Sequence, residues 1–313
     1  MAEPAEVGRK RVLLFGASGT IGLATAKALL ADGHAATCVL RGSASGLAVR
    51  EELEAAGAQC RIGEPDSDLA GELFDCVISC LASRSGEPAD AWAVDYQANA
   101  DTLAAAKAAS VPHMILLSAI CVQKPLLAFQ HAKLAFEREL VESGLTWSIV
   151  RPTAFFKSLS GQVERARRGK PFLLFGNGEL TSCKPISDGD LGRYLSRAVT
   201  DAAMHNKVLP IGGPGPAITP KQQGEKLFEL LGREPRFRHV PVAMMDAIIA
   251  LLSVAGQISR RAKAKAEYAR IGRYYATESM LVFDPLTGEY RADLTPETGS
   301  ETLFSHYAEL LHP

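Results

Sequence analysis

Three glycines are the first residues able to do chemistry. Gly16-Ala17-Ser18-Gly19-Thr20-Ile21-Gly22 lies between an apolar run at 11–15 and an Ala/Leu-rich stretch at 21–30, and a further apolar run follows at 35–40. Strand, glycine loop, helix and strand within about 30 residues make a dinucleotide-binding β–α–β unit. Gly16 permits the tight turn, Gly19 lets the backbone approach a pyrophosphate, and Gly22 lets the helix pack closely on the sheet. The helix N-terminus offers N–H groups and a positive dipole end to phosphate. Gly16, Ser18, Gly19, Thr20, Ile21 and Gly22 are therefore cofactor candidates. The second run stops at Arg41, where an NAD-preferring site keeps an acidic residue for the ribose hydroxyls. A guanidinium there can pair with a 2′-phosphate, and Ser43 can add a hydroxyl, so the pattern favours NADPH over NADH.

The elements that must position these residues alternate along the chain. Runs at 76–80, 114–117 and 146–150 read as buried parallel strands. Helical patterns at 91–109 and 126–143 separate them, the second ending at Gly144. A helix at 188–200 and a strand at 208–211 follow. This alternation predicts an α/β fold, a doubly wound parallel sheet of Rossmann type with a smaller, interleaved substrate lobe. Residues 1–10 read as a flexible arm, and 11–157 as the dinucleotide-binding domain, with 186–212 returning to it. Segments 158–185 and 213–313, rich in turn formers, read as the substrate lobe.

Composition removes several function classes. Thirty-four basic and 35 acidic residues leave a net charge of −1, so no global field gathers nucleic acid, and none is expected as a partner. The six cysteines form no CxxC pair and no metal-ligand spacing, and no metal site is expected. The first residues lack a signal-peptide core, and no stretch approaches the about 20 apolar residues of a spanning helix. A cytoplasmic location follows as the expectation. Oligomeric state is left open.

The GxxGxxG spacing resembles the extended and atypical branches of the short-chain dehydrogenase/reductase superfamily. Members commonly carry a Ser and then Tyr-x-x-x-Lys after the fifth strand. Ser118 matches the serine and Lys133 the lysine, but Phe129-Gln130-His131-Ala132-Lys133 puts phenylalanine at the tyrosine position. Ser118 and Lys133 are the catalytic candidates, and Lys133 can also hold the nicotinamide ribose. A ketone reductase needs a proton donor at the forming alkoxide. A carbon–carbon double-bond reductase does not. Loss of the phenol also suits a non-catalytic NADP(H)-sensing regulator, or another atypical alkene reductase of the isoflavone-reductase kind.

Longer strings narrow the choice. LSAICVQKP, RPTAFFKSL and YYATESMLV, with SCLASRSG and GKPFLLFGNGELTSCKPIS, resemble the NADPH-dependent divinyl chlorophyllide 8-vinyl reductases over nearly the whole length. That family itself lacks the tyrosine. One departure is Glu64-Pro65, where an Asp is expected after the third strand. The resemblance implies reduction of an 8-vinyl group to ethyl on divinyl chlorophyllide a, or its protochlorophyllide counterpart, in chlorophyll or bacteriochlorophyll biosynthesis. The partner would be a magnesium tetrapyrrole, with the magnesium belonging to the substrate.

The remaining candidates follow the strands. Ser83 and Arg84 lie where the superfamily passes the adenine ribose. Pro152, Thr153 and Ala154 follow the sixth strand, where open α/β sheets bind ligands, and can contact the nicotinamide. Phe155 and Phe156 can face a flat macrocycle or pack in the core. Lys157 and Lys124 are candidates for a substrate propionate or for proton delivery. Tyr274 and Tyr275 can line the pocket or serve packing. The apolar helix expected at 242–255 precedes Arg260, Arg261, Lys263, Lys265, Arg270 and Arg273. It reads foremost as a lid packed over the pocket, and secondly as a peripheral contact with the photosynthetic membrane.

Overall fold

The computed structural model describes residues 8–65, 69 and 71–312. In chain order the first half runs β1 (Arg11–Phe15), α1 (Thr20–Ala31), β2 (Ala35–Leu40), α2 (Ala44–Ala55), β3 (Gln59–Ile62), β4 (Cys76–Ser79), α3 (Pro88–Ala91), α4 (Asn99–Ala108), β5 (His113–Leu117), α5 (Ala128–Val141) and β6 (Thr146–Pro152). The second half adds α6 (Phe156–Leu159), α7 (Val163–Arg167), β7 (Phe172–Phe175), α8 (Asp188–Arg197), β8 (Lys207–Ile211), α9 (Pro220–Leu230), β9 (Phe237–Val240), α10 (Val242–Ala255), α11 (Arg260–Thr277), β10 (Val282–Asp284), β11 (Glu289–Arg291) and α12 (Leu303–Leu311).

Seven strands form one parallel sheet in the order β3-β2-β1-β4-β5-β6-β8. The order reverses between β1 and β4. That crevice, outside the carboxyl ends of the strands, is where such sheets take their ligands. The expected α/β fold class is observed. β4 and β5 are buried at every residue, as strands covered by helices on both faces must be.

One face of the sheet is covered by α1 and α8. Gly192 makes their close crossing possible, since a Cβ there would lie 2.7 Å from the Ala24 carbonyl carbon. Leu14, Ile78, Ile115, Leu191 and Leu195 pack in this layer, whereas Met114, Leu116, Phe136 and Leu140 pack on the other face. A separate core gathers Phe156, Val163, Phe172, Leu227, Phe228, Tyr274 and Tyr307 from later segments. It sits beside two small sheets, β7-β9 and β10-β11.

Two expectations are corrected. The helix read at 91–109 starts at Pro88 and passes through a π-helical stretch, Trp92–Ala98, before α4. The helix at 242–255 forms with the expected limits, but no residue of α10 is buried. Its helical partner is α11, held by Arg273 on Asp246 and by Arg270 on Ser253 at 2.7 Å. It is therefore not a packed lid. An apolar ridge of Met244, Ile248, Leu251 and Val254 stays exposed because nothing among the described residues covers it.

Candidate active site

The glycine loop is built for close backbone approach. Gly16 has φ +80°, and a Cβ on it would lie 2.7 Å from the Cys80 carbonyl. A Cβ on Gly22 would lie 2.2 Å from the Gly16 oxygen. Gly19 caps α1 in extended conformation with no side chain over the helix end, so the first-turn amides have no intrahelical acceptor. Ile21 is buried, leaving only its backbone for a ligand, while Ser18, Gly19 and Thr20 reach the surface. These residues fit a pyrophosphate.

Arg41 follows β2 at the surface. The Asp90 carboxyl is held below its ordinary range, chiefly by the Ser85 backbone N–H, with the Arg41 charge contributing. Arg41 thus lies within electrostatic reach of the Asp90 carboxyl. The Ser43 hydroxyl caps α2 by accepting the Gly46 N–H at 3.3 Å, which places the positive end of α2 beside Arg41.

Lys133 is enclosed on α5, its side chain 8% exposed, with Nζ 2.9 Å from Asp95 Oδ1. Asp95 also accepts the Ser83 hydroxyl at 2.6 Å and the Ser83 N–H at 3.3 Å. Phe129, one turn before Lys133, carries no hydroxyl, and its ring lies near Gly86 and Ile271 of α11. Tyr275, one turn beyond Ile271, brings its phenol oxygen 3.8 Å from Cys121 Sγ. The Tyr274 hydroxyl donates to the carbonyls of Cys121 at 2.8 Å and Lys124 at 3.1 Å, a packing role.

Several candidates stand elsewhere than expected. The Ser118 hydroxyl is buried and donates to Glu137 at 2.5 Å, and Glu137 pairs with Arg151, so it is committed away from Lys133. The Thr153 hydroxyl donates to the Lys184 carbonyl, Pro152 is buried, and the Ala154 carbonyl accepts the Ile186 N–H at 3.0 Å. These three brace a loop. Phe156 is a core residue, 4% exposed and 5.4 Å from the His306 ring, because the second core draws in its apolar ring. It does not face a macrocycle. Phe155 is half-buried against the first core. The Lys157 ammonium donates to the Thr20 hydroxyl at 3.1 Å, which brings it to the glycine loop. Lys124 pairs with Glu278 at 2.8 Å, and Glu278 also accepts the Tyr290 hydroxyl. Arg84 is exposed.

Sequence reading missed Asp95, Glu137 and Glu278. Glu137 had a signal, since it stands four residues after Lys133 on one helix face. Asp95 had none, because a regular helix and a π turn are not distinguished by spacing.

An NAD(P)H-binding family model matches residues 16–202. The fold resembles the solved leucoanthocyanidin reductase–NADPH complex of Vitis vinifera, with TM-score 0.70 and 16% identity over 97% of this chain and all of that one. Fold and glycine loop together define an NAD(P)H-binding Rossmann protein. The chain is also 47% identical to a divinyl chlorophyllide a 8-vinyl-reductase, chloroplastic, of Oryza sativa subsp. indica, over 96% of its own length and 78% of the relative's. A protein of the same name from Arabidopsis thaliana is 44% identical over 96% and 76%. The chain belongs to the divinyl chlorophyllide a 8-vinyl-reductase family.

Proposed function

We infer that this protein reduces the 8-vinyl group of divinyl chlorophyllide a to ethyl, with NADPH as cofactor. What supports the reading is a glycine loop with room only for backbone, an ion-paired Lys133 and a phenylalanine where a ketone reductase keeps its phenol, in a chain 47% identical to a named 8-vinyl reductase. When bound, NADPH supplies the hydride. A vinyl group conjugated to a tetrapyrrole accepts hydride at its terminal carbon because the macrocycle spreads the negative charge, and protonation of the inner carbon completes the ethyl group.

The protein's own part is binding and electrostatics. The α1 amides with Ser18, Gly19 and Thr20 hold the pyrophosphate, and Lys157, already on Thr20, adds a positive charge there. Arg41 takes the 2′-phosphate, with Ser83 and Arg84 on the adenosine side. Lys133 orients the nicotinamide ribose and places a preorganised positive charge beside the developing anion. Segments 158–185 and 213–313 form the substrate lobe, with Phe155 and Lys124 at its inner edge.

The exposed ridge of α10, followed by exposed Arg260, Arg261, Lys263 and Lys265, supports peripheral contact with an anionic lipid surface such as the photosynthetic membrane. No helix among the described residues is long and apolar enough to cross one. The test of the activity is incubation with NADPH and divinyl chlorophyllide a. The absorption bands are expected to move to the blue as a conjugated vinyl group is lost, and unchanged bands would overturn the reading.

A further inference from the structure

The geometry points to Asp95 as the positioning residue for Lys133, one carboxylate that ties the lysine to the cofactor-side loop at Ser83. This rests on the NADPH-dependent reading above. Asp95 is 1% exposed, and each oxygen has a partner: Oδ1 takes the Lys133 ammonium at 2.9 Å and the Ser83 N–H at 3.3 Å, and Oδ2 takes the Ser83 hydroxyl at 2.6 Å. A carboxylate so enclosed persists only when paired and hydrogen-bonded. The two ends of this strut differ in kind. Lys133 comes from α5, beyond the fifth strand, and Ser83 from the loop after β4, at the reversal of strand order.

The backbone around Asp95 is also unusual. Trp92–Ala98 is π-helical, a local widening found mostly as short insertions and often at functional sites. Asn99 secures it, its side-chain amide donating to the carbonyls of Val94 at 3.0 Å and Asp95 at 3.3 Å while its oxygen accepts the Ser79 hydroxyl at 2.6 Å. The widened turn and the β4 end are therefore fastened together one residue pair behind the Ser83–Asp95 contact. Where the superfamily's tyrosine would stand, Phe129 offers Lys133 no hydrogen bond, and the ammonium pairs with Asp95.

A residue that acts through Lys133 has a distinct signature in a double-mutant cycle. Asp95→Asn alone is expected to lower kcat by about tenfold to a hundredfold, the range a small misplacement of a positioned group produces, and to weaken NADPH binding measured by nucleotide fluorescence. In a Lys133→Met background the same change is expected to have no further effect on either quantity. Ser83→Ala is the second variant, expected to act in the same direction more weakly and again only when Lys133 is present. Thermal melting identifies any variant that is unfolded, and the neutral pair Asp95→Asn/Lys133→Met leaves no unpaired charge. Losses that add in full, in kcat and in NADPH affinity alike, would overturn the proposal. The affinity cycle needs no tetrapyrrole, so a protein that binds NADPH without reducing the vinyl group would defeat the functional reading and leave this test standing.

Discussion

At the scale of single residues, charge decides what the crevice can hold. Arg41 stands just before the N-cap of α2, and the proposed function sets its guanidinium and the helix end on one 2′-phosphate. Arg41→Asp replaces attraction with repulsion at a 2′-phosphate. Losing a charge-assisted contact is worth about 1.5–3 kcal/mol, roughly tenfold to a hundredfold, so the Michaelis constant for NADPH is expected to rise by that factor while that for NADH hardly moves. Steady-state kinetics with both nucleotides checks this, and equal effects would take Arg41 out of the site. Lys133 and Phe129 form a second pair of predictions. Lys133→Ala removes a preorganised charge and is expected to depress turnover by about 2.7–4 kcal/mol, a hundredfold to a thousandfold. It also strands Asp95 without its cation, so melting should fall as well. Phe129→Tyr should not accelerate vinyl reduction, because no alkoxide awaits a phenol. A large gain in rate from that variant would show that an acid at 129 reaches the substrate.

At the scale of elements, the α10–α11 hairpin is the part whose sequence and packing disagree most with a soluble core. Periodicity read α10 as a helix and its apolarity as burial. The helix forms, yet its ridge stays largely exposed, with Leu251 73% and Val254 66% exposed. If that ridge serves a membrane surface, Leu251→Asp with Val254→Asp should change folding stability by no more than about 0.5 kcal/mol per site, as exposed positions do. Sedimentation with vesicles containing anionic lipid is expected to fall sharply, and high salt should mimic part of the loss by screening the basic residues. Equal sedimentation of wild type and variant would remove α10 as a membrane contact. The π turn carries the opposite lesson. Residues 88–108 read from the sequence as one helix, and the widened turn at Asp95 is seen only in the folded chain, where it packs against α5.

At the scale of the whole molecule, buried His113 on the central strand β5 meets the half-buried His205 of the segment before β8. The rings lie 4.4 Å apart, and His113 Nε2 meets the Ser148 hydroxyl at 3.2 Å. Burial, with the nearby His205 second, lowers the His113 pKa from 6.5 to about 4. The native state therefore prefers the neutral ring. Its stability is untouched above about pH 6.5, falls as the unfolded chain takes up a proton that the native one refuses, and stops falling near pH 4. The loss across that window is about 3 kcal/mol. His113→Gln keeps a donor to Ser148 and does not titrate, so its denaturant midpoint should drop less than that of wild type between pH 6.5 and 4. Parallel curves would assign the acid sensitivity elsewhere.

What the sequence determined by itself was the local and the repetitive. Apolar runs bounded by glycine mark β1, β2 and β6, because a parallel strand buries both faces and a glycine is needed where φ turns positive, as at Gly16 and Gly33. The glycine loop, Arg41 and the Lys133 position were legible for the same reason: each is defined by neighbours within a few residues. Contacts between distant segments were not. That Ser118 turns to Glu137, that Phe156 joins a core built from α9 and α12, that Lys157 reaches Thr20 across the crevice, and that Asp95 holds Lys133 all depend on how separate elements meet. Those meetings are set by side-chain volume and by the need to pair every buried charge, conditions that only the assembled tertiary structure imposes.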